Sequence, residues 1–337
     1  MSRLVIQTAF LGDVVLTTPL LQTLAQRHGP VDVVTTPAAA PLLETHPAVR
    51  QVIPFDKRGA ARGPRGLWRL GARLRAERYE VAYLPHRSLR TAALALLARI
   101  PVRIGFHDGW PALYTEVRRR PARGHEIDRL LALAGVDASP GARPSLGLTA
   151  SDRTAADRML REHGVTRPFV ALAPGSIWGT KRWPYYGQLA AALVSRGVAV
   201  AVVGAPEDAP LGDGVIAAAR AAGGSAVNAC GQLPLRASAA VIAEAEALVT
   251  NDSAPLHLAQ AVETPTVAIF GPTVPAFGFG PRGPRDHAIG LDGLGCRPCH
   301  AHGPPVCPLG HHLCMQALRV EDVMRAIEET GALRRRD

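Results

Sequence analysis

Short apolar runs alternate along this chain with longer stretches whose apolar residues recur every three or four positions. The runs read as strands over 3–8, 31–35, 51–54, 81–84 and 102–105. Between them, helical patterns cover 14–28, with Leu16, Leu20, Leu21 and Leu24 on one face, then Pro37 to near His46, Leu67 to Arg78, 91–98 and 125–134. Residues 111–123 are irregular and Arg-rich, and 137–149, with two Pro and two Gly, reads as an interdomain linker. A second series follows, with strands over 169–173, 199–203, 226–228, 247–249 and 266–270. Its helices are a segment capped by Ser151 and ending at Gly164, then 183–196, 211–222, 237–245 and, last, 320–330. Beyond Asp286 the pattern breaks into a Cys/His-rich loop, 295–315, and the tail Arg334, Arg335, Arg336 reads as frayed and solvated. Strand–helix alternation with short connections implies an α/β protein of doubly wound parallel sheets. Two Rossmann-like domains facing a central cleft are expected, 1–150 and 151–319, followed by a C-terminal helix and tail, 320–337.

The most informative stretch is VTNDSAPLHLAQAVETPTVAIFGP, residues 249–272. It predicts a strand end, a turn capped by Asp252 or Ser253, a helix stopped by Thr264-Pro265, and a second buried strand. Ligands of open α/β sheets sit at the carboxyl ends of strands, and a helix N-terminus there favours an anion. Asp252, Ser253 and His257 crowd that end. Each alone has a plainer account, as a cap or a core histidine; together they point to a ligand site.

Other strand ends carry chemistry too. Ala173-Pro174-Gly175-Ser176 leads to Lys181, and strand-end amides followed by a lysine suit a phosphate, although an ordinary loop with an exposed lysine fits as well. The spacing is not that of a Walker A motif, and no GxGxxG follows the first strand, which counts against a dinucleotide dehydrogenase. Glu207 and Asp208 follow the next strand, where a carboxylate suits a ribose hydroxyl pair or merely the start of a helix. Asp13 lies on the first strand–helix turn, either as a proton acceptor or as a cap. The loop arginines Arg58, Arg62 and Arg65, with His86 and Arg87 at another strand end, are candidates for holding an anionic substrate.

Composition narrows the class. The net charge is +10, which fits an Arg-rich composition or an acidic partner such as a phosphorylated sugar, an anionic membrane surface or nucleic acid. Of 38 cationic side chains only Lys57 and Lys181 are lysines, so position 181 is a candidate for a compact ammonium. Aromatics are 5% of residues and no nucleic-acid motif is present, so a nucleic-acid partner is not expected. No apolar run reaches the ~18–20 residues of a membrane span, and MSRLVIQTAF lacks a signal-peptide core, so a cytoplasmic address is expected.

The motifs LGDVVLTTP, APGSIWGTKRWP, NDSAPLHLA, FGPT and CPLGHHLCM, in this order and almost end to end, resemble glycosyltransferase family 9, the lipopolysaccharide heptosyltransferases, and heptosyltransferase II in particular. The resemblance implies a GT-B fold. It implies inverting transfer from ADP-heptose to the lipid A-linked inner core, beside the inner face of the cytoplasmic membrane. By position, Asp13 corresponds to the catalytic base and Lys181 to the lysine on the donor diphosphate. Ser176, Glu207 (or Asp208), Leu233, Asp252, Ser253 and His257 correspond to donor-binding positions. Arg58, Arg62, Arg65, His86 and Arg87 are left for the acceptor. Ala254 and Pro255 depart from the family's Gly after Asp-Ser. Catalysis needs no metal in this reading. Cys296, Cys299, Cys307 and Cys314, with His300, His302, His311 and His312 among them, can ligate a structural zinc or stay as reduced thiols.

Overall fold

The computed structural model describes residues 2–59, 61–137 and 139–333; the predicted frayed tail lies outside them. The chain divides into two compact units, Met1–Gly147 and Leu148–Asp337. Unit 1 runs β1 (Arg3–Ile6), α1 (Leu11–Leu16), α2 (Thr18–His28), β2 (Val31–Thr35), α3 (Ala40–Leu43), β3 (Val49–Pro54), α4 (Gly63–Ala76), β4 (Val81–Leu84), α5 (Leu89–Leu97), β5 (Val102–Phe106), β6 (Glu116–Arg118) and α6 (Glu126–Leu131). Unit 2 runs α7 (Ala150–Glu162), β7 (Phe169–Ala173), α8 (Tyr186–Val194), β8 (Ala199–Val202), α9 (Ala209–Ala221), β9 (Ala226–Asn228), α10 (Leu235–Glu244), β10 (Ala247–Asn251), α11 (Ala254–Ala261), β11 (Thr266–Ile269), β12 (His287–Ile289), α12 (Leu313–Gln316) and α13 (Val320–Glu329).

Each unit holds a six-stranded sheet, ordered β3-β2-β1-β4-β5-β6 and β12-β11-β10-β7-β8-β9, with every described pairing parallel. The two orders are the same when each unit's strands are numbered from its own first strand. The chain reverses direction across each sheet between β1 and β4 and between β7 and β10. Those reversal points are where an open sheet leaves a crevice for ligand at its carboxyl edge. The central strands are buried on both faces, as βαβ crossovers require, which is why they read as unbroken apolar runs. In unit 1 separate clusters around Leu4, Ile6 and Phe55 and around Val5, Leu20 and Phe106 sandwich the sheet.

The structure corrects several expectations. α1 begins at Leu11, three residues before the predicted start, and the long helix breaks at Thr17 because Pro19 cannot donate a backbone hydrogen bond. α4 begins at Gly63 rather than Leu67, with Pro64 in a first turn that tolerates it. Thr149, not Ser151, caps α7, exchanging hydrogen bonds with Asp152. Edge strands β6 and β12 are three residues each and carry no alternation that a pattern could reveal. The stretch read as a linker is strapped to unit 1. Ser145 takes Gln22 Nε2 at 2.8 Å and donates its N–H to Thr18 Oγ1 at 3.0 Å, and Gly147 O accepts the Thr45 hydroxyl. The C-terminal helix is not separate, since Val323, Met324 and Ile327 of α13 join the core of unit 2.

At the opposite edge of sheet 1 from the candidate turns, Asp32 is fully buried, gripped by Arg50 at 2.6 and 2.8 Å and by the Tyr79 hydroxyl. Arg50 is about half exposed and can return to water, whereas Tyr79 cannot. Asp32→Ala is therefore expected to lower unfolding free energy by ~2 kcal/mol, mostly from the stranded hydroxyl. Urea titration of the variant against wild type measures it.

Candidate functional site

In unit 1 the turn after β1 ends on α1, whose third residue is Asp13. Its carboxylate accepts the Phe10 N–H at 3.1 Å, and its carbonyl accepts the Thr17 hydroxyl at 2.7 Å. Burial pushes the Asp13 carboxyl up to about 6, helped by Glu126 and opposed by the Phe10 N–H and Arg120. Those neighbours form a network that the sequence reading missed. Arg120 binds Glu126 at 2.5 Å and lies over the Phe106 ring at 5.2 Å, and Arg129 reaches the same carboxylate at 3.4 Å.

Lys57 follows the carboxyl end of β3 and His86 that of β4, with β2 and β1 between those strands. Lys57 Nζ donates to Thr8 O at 2.5 Å, and burial, Arg58 and Arg90 push its pKa down. Burial, then Lys57 and Arg87, push the His86 imidazole down to about 4, and its Nδ1 is buried with no partner among the described residues. Lys57, which sequence reasoning had not placed here, thus stands near enough to His86 to disfavour its charge. Arg87 pairs with Asp108 at 3.1 Å. Arg58 is exposed beside Lys57. Arg62 precedes α4 and Arg65 sits in its first turn, both exposed, so two of the three predicted loop arginines belong to a helix start.

In unit 2 the candidate residues gather at the carboxyl ends of β7 and β10. Lys181, in a single helical turn over Gly179–Lys181, is buried and bonds Asp252 Oδ2 at 2.6 Å and Asp252 O at 3.1 Å. Thr273 Oγ1 donates to the same carboxylate oxygen at 2.7 Å. Ser253 caps α11 by position, but its hydroxyl turns back to Thr250 and Asn251, leaving the helix amides without a side-chain partner. His257, one turn into α11, is buried; burial holds its imidazole at about 4 despite the nearby Asp252, and Nδ1 lacks a partner among the described residues. Ala254 occupies the first helical position with no positive φ, so its methyl group causes no backbone strain. Ser176 is buried, with its carbonyl gripped by Arg182 at 2.7 and 2.9 Å. Glu207 is exposed, whereas Asp208 lies against Gly175 so closely that a Cβ there would sit 2.2 Å from its carboxyl. Asp208 is thus the acid nearer the Gly175 turn. Leu233 is half-buried in the turn after β9.

The residue that ties this half together went unnoticed in the sequence. Asn251 is fully buried; its Nδ2 donates to Pro174 O at 2.9 Å and Gly175 O at 3.3 Å, while its Oδ1 accepts Trp183 N–H at 3.1 Å and the Tyr186 hydroxyl at 3.3 Å. An Asn inside NDS reads as a turn residue, and nothing local signals partners more than sixty positions away.

The Cys/His loop walls the same site. His312 Nε2 lies 2.7 Å from Thr180 O, Cys299 N–H reaches Pro272 O at 2.9 Å, and Arg297 Nη2 reaches Phe270 O and Thr273 O. Among the described residues no three His, Cys, Asp or Glu side chains are placed to hold a metal ion. Cys314 is buried in the apolar core, where burial and then Cys299 push its thiol up to about 11, opposed by Arg297.

The profile of glycosyltransferase family 9 (heptosyltransferase) matches residues 67–307. The chain belongs to glycosyltransferase family 9. It is similar to lipopolysaccharide heptosyltransferase 2 of Escherichia coli K12, 30% identical over 295 residues spanning 82% of this chain and 84% of that protein. It is also similar to lipooligosaccharide heptosyltransferase 2 of Haemophilus influenzae, 30% identical over 301 residues, 82% and 85% of the two chains. The structure of E. coli ADP-heptose lipopolysaccharide heptosyltransferase II superposes with a TM-score of 0.80 at 26% identity, covering 98% of both chains. The fold is GT-B and the protein is a glycosyltransferase. The family match includes Lys181, Asp252 and His257 but starts well after Asp13.

Gly303 offers a direct probe of the wall. It has φ +82°, and a Cβ there would lie 3.2 Å from Lys181 Cγ and Cε. Gly310, on the same loop with φ +72°, would meet nothing within 4 Å. Both valine variants carry the same backbone strain, but only Gly303→Val presses on Lys181. Calorimetric titration with ADP is expected to show about tenfold weaker binding for Gly303→Val, equal to ~1.4 kcal/mol, and little change for Gly310→Val.

Proposed function

We propose that this glycosyltransferase moves L-glycero-D-manno-heptose from ADP-heptose to the lipid A-linked inner core of lipopolysaccharide, with inversion at the anomeric carbon. The observation that carries the reading is Lys181, a buried ammonium held by Asp252 at the carboxyl edge of sheet 2, where β7 and β10 diverge. An ammonium fixed there meets a nucleotide diphosphate without needing to be desolvated during the reaction. The E. coli relative's donor, ADP-heptose, supplies such a group.

In the proposed step the acceptor hydroxyl attacks the anomeric carbon, and its proton passes to Asp13. The bond from that carbon to the diphosphate oxygen breaks, and ADP leaves with the electron pair. Lys181 and the positive end of α11 offset the charge that grows on the leaving oxygen. Asp252 keeps Lys181 aimed between turnovers, and Thr273 fixes Asp252. Ser176, Ser253 and His257 line the donor side, with Leu233 and Glu207 or Asp208 toward the nucleoside. Lys57, His86, Arg58, Arg62, Arg65 and Arg87 face the acceptor's acidic groups. The acceptor's lipid places the enzyme at the inner face of the cytoplasmic membrane.

Asp13 must be ionised to accept a proton. Its pKa of about 6 therefore predicts that kcat/KM falls tenfold per unit as pH drops below about 6. Glu126→Gln removes the like charge and frees Arg120, so this limb is expected to move to lower pH in a pH–rate profile.

Asp13→Asn keeps an acceptor for the Phe10 N–H and is expected to cut transfer by ~10²–10⁴-fold. A carboxyl whose pKa is raised on folding makes the native state bind more protons, so stability falls as pH rises from about 4 to 6. The Asn variant is accordingly expected to unfold at a higher temperature than wild type at pH 8 and at a similar temperature at pH 4. The deciding assay offers ADP-, UDP- and GDP-linked sugars with heptose-free and heptose-bearing core acceptors. Transfer from ADP-heptose alone supports the reading, and preference for another nucleotide sugar overturns it.

A further inference from the structure

The sequence from Lys57 to Ala76 contains seven cationic side chains and no Asp or Glu. Most of it folds as α4, where Arg65, Arg69 and Arg73 stand four residues apart and so form one outward stripe. Leu70, Gly71 and Leu74 face inward. Gly71 packs against Leu97 of α5, with its Cβ position 2.9 Å from Leu97 Cβ, so α4 and α5 cross closely there. Trp68, one turn before Gly71 on the same flank, is 64% exposed. On α5, Leu89, Leu96 and Leu97 are 48%, 45% and 41% exposed, and Arg90 and Arg99 beside them are exposed as well.

A solvated helix face needs neither an exposed tryptophan nor three exposed leucines. A nucleic-acid surface would favour several stacked aromatics among its cations, and α4 and α5 carry only Trp68. Guanidinium groups beside an amphipathic indole and aliphatic side chains match one environment better, the boundary between anionic lipid headgroups and acyl chains. No helix among the described residues is long and apolar enough to cross a bilayer, so the contact would be with its surface.

We infer that the α4–α5 face of unit 1 docks the protein on an anionic phospholipid surface, with Arg69 and Arg73 at the headgroups and Trp68, Leu96 and Leu97 inserted at the interface. This rests on the proposed acceptor being lipid-linked, and it names the surface through which the enzyme would meet that lipid. Arg69 and Arg73 lie outside the donor and acceptor sets described above, so they separate docking from chemistry.

The test is flotation of the full-length protein with vesicles of phosphatidylcholine alone and of phosphatidylcholine mixed with phosphatidylglycerol. Binding is expected only to the anionic vesicles and should weaken as salt is raised. Arg69→Glu/Arg73→Glu should reduce it at least tenfold, while Arg161→Glu/Arg220→Glu in unit 2 should not. A blue shift of tryptophan emission on anionic vesicles should be lost in Trp68→Phe, a variant that keeps the ring and serves if the charge-reversed protein folds poorly. Transfer to a water-soluble acceptor fragment should be unchanged in Arg69→Glu/Arg73→Glu. Equal flotation with both vesicle types, equal loss from the unit 2 pair, or an unchanged blue shift in Trp68→Phe overturns the proposal. So does tighter binding to RNA than to anionic vesicles. Vesicle binding without heptose transfer would sink the functional reading and leave the docking surface standing.

Discussion

The Lys181–Asp252 pair of unit 2 depends on one carboxamide. Asn251 stands where β7 and β10 diverge, and its four hydrogen bonds join three segments that the chain supplies separately. Two go to the carbonyls of Pro174 and Gly175, which fixes the turn that leads into Ser176. Two come from Trp183 and Tyr186, which fixes where the chain resumes after Lys181. Lys181 therefore sits on a segment anchored at both ends to the same side chain, and Asp252 is the next residue after that anchor. Since Asn251 is fully buried, loss of any one partner would leave a polar group without water to replace it. The ion pair is positioned by the backbone around it more than by its own attraction.

The two units place their key charges in opposite electrostatic settings. Asp13 sits where burial and Glu126 disfavour its charge, so its carboxylate is a stronger base than an ordinary aspartate. Asp252 receives a full ammonium and a hydroxyl. One carboxylate is thus a base strengthened by burial, and the other holds a cation. Such divergence between like groups, set by environment rather than residue type, is what lets one fold assign them different roles.

How much of this was legible in the sequence follows from the range of the interactions. Strands such as Phe169–Ala173 and Ala226–Asn228 fall where the apolar runs put them, because burial on both faces is written locally. The doubly wound, parallel arrangement was legible for the same reason. Asn251, Thr273, Arg120 and Lys57 were not, since each acts on a group far away in sequence. The edge strands β6 and β12 were invisible because pairing with a neighbour, not their composition, makes them strands. The Cys spacing suggested a metal, and Cys314 was also an apolar residue ahead of an amphipathic helix, where it joins the core. Leu70, Gly71 and Leu74 turned what read partly as a basic loop into a helix with a committed inner face.

Those corrections bear on the Cys/His loop, whose work in this structure is steric. Gly303 approaches Lys181 closely enough that a methyl group would crowd its side chain. The loop is pinned on both sides of Gly303, by Arg297 and Cys299 before it and by His312 after it, each bonded to backbone of the Lys181 segment or of the turn after β11. A buried lysine with one carboxylate partner would still have torsional freedom along its stem. The wall removes part of that freedom, so the entropy of fixing the ammonium is lost at folding and not when substrate arrives. On this account the loop's sequence is constrained where it touches Lys181 and the turn beyond β11. Val306 and Leu309, both exposed, are free of that constraint.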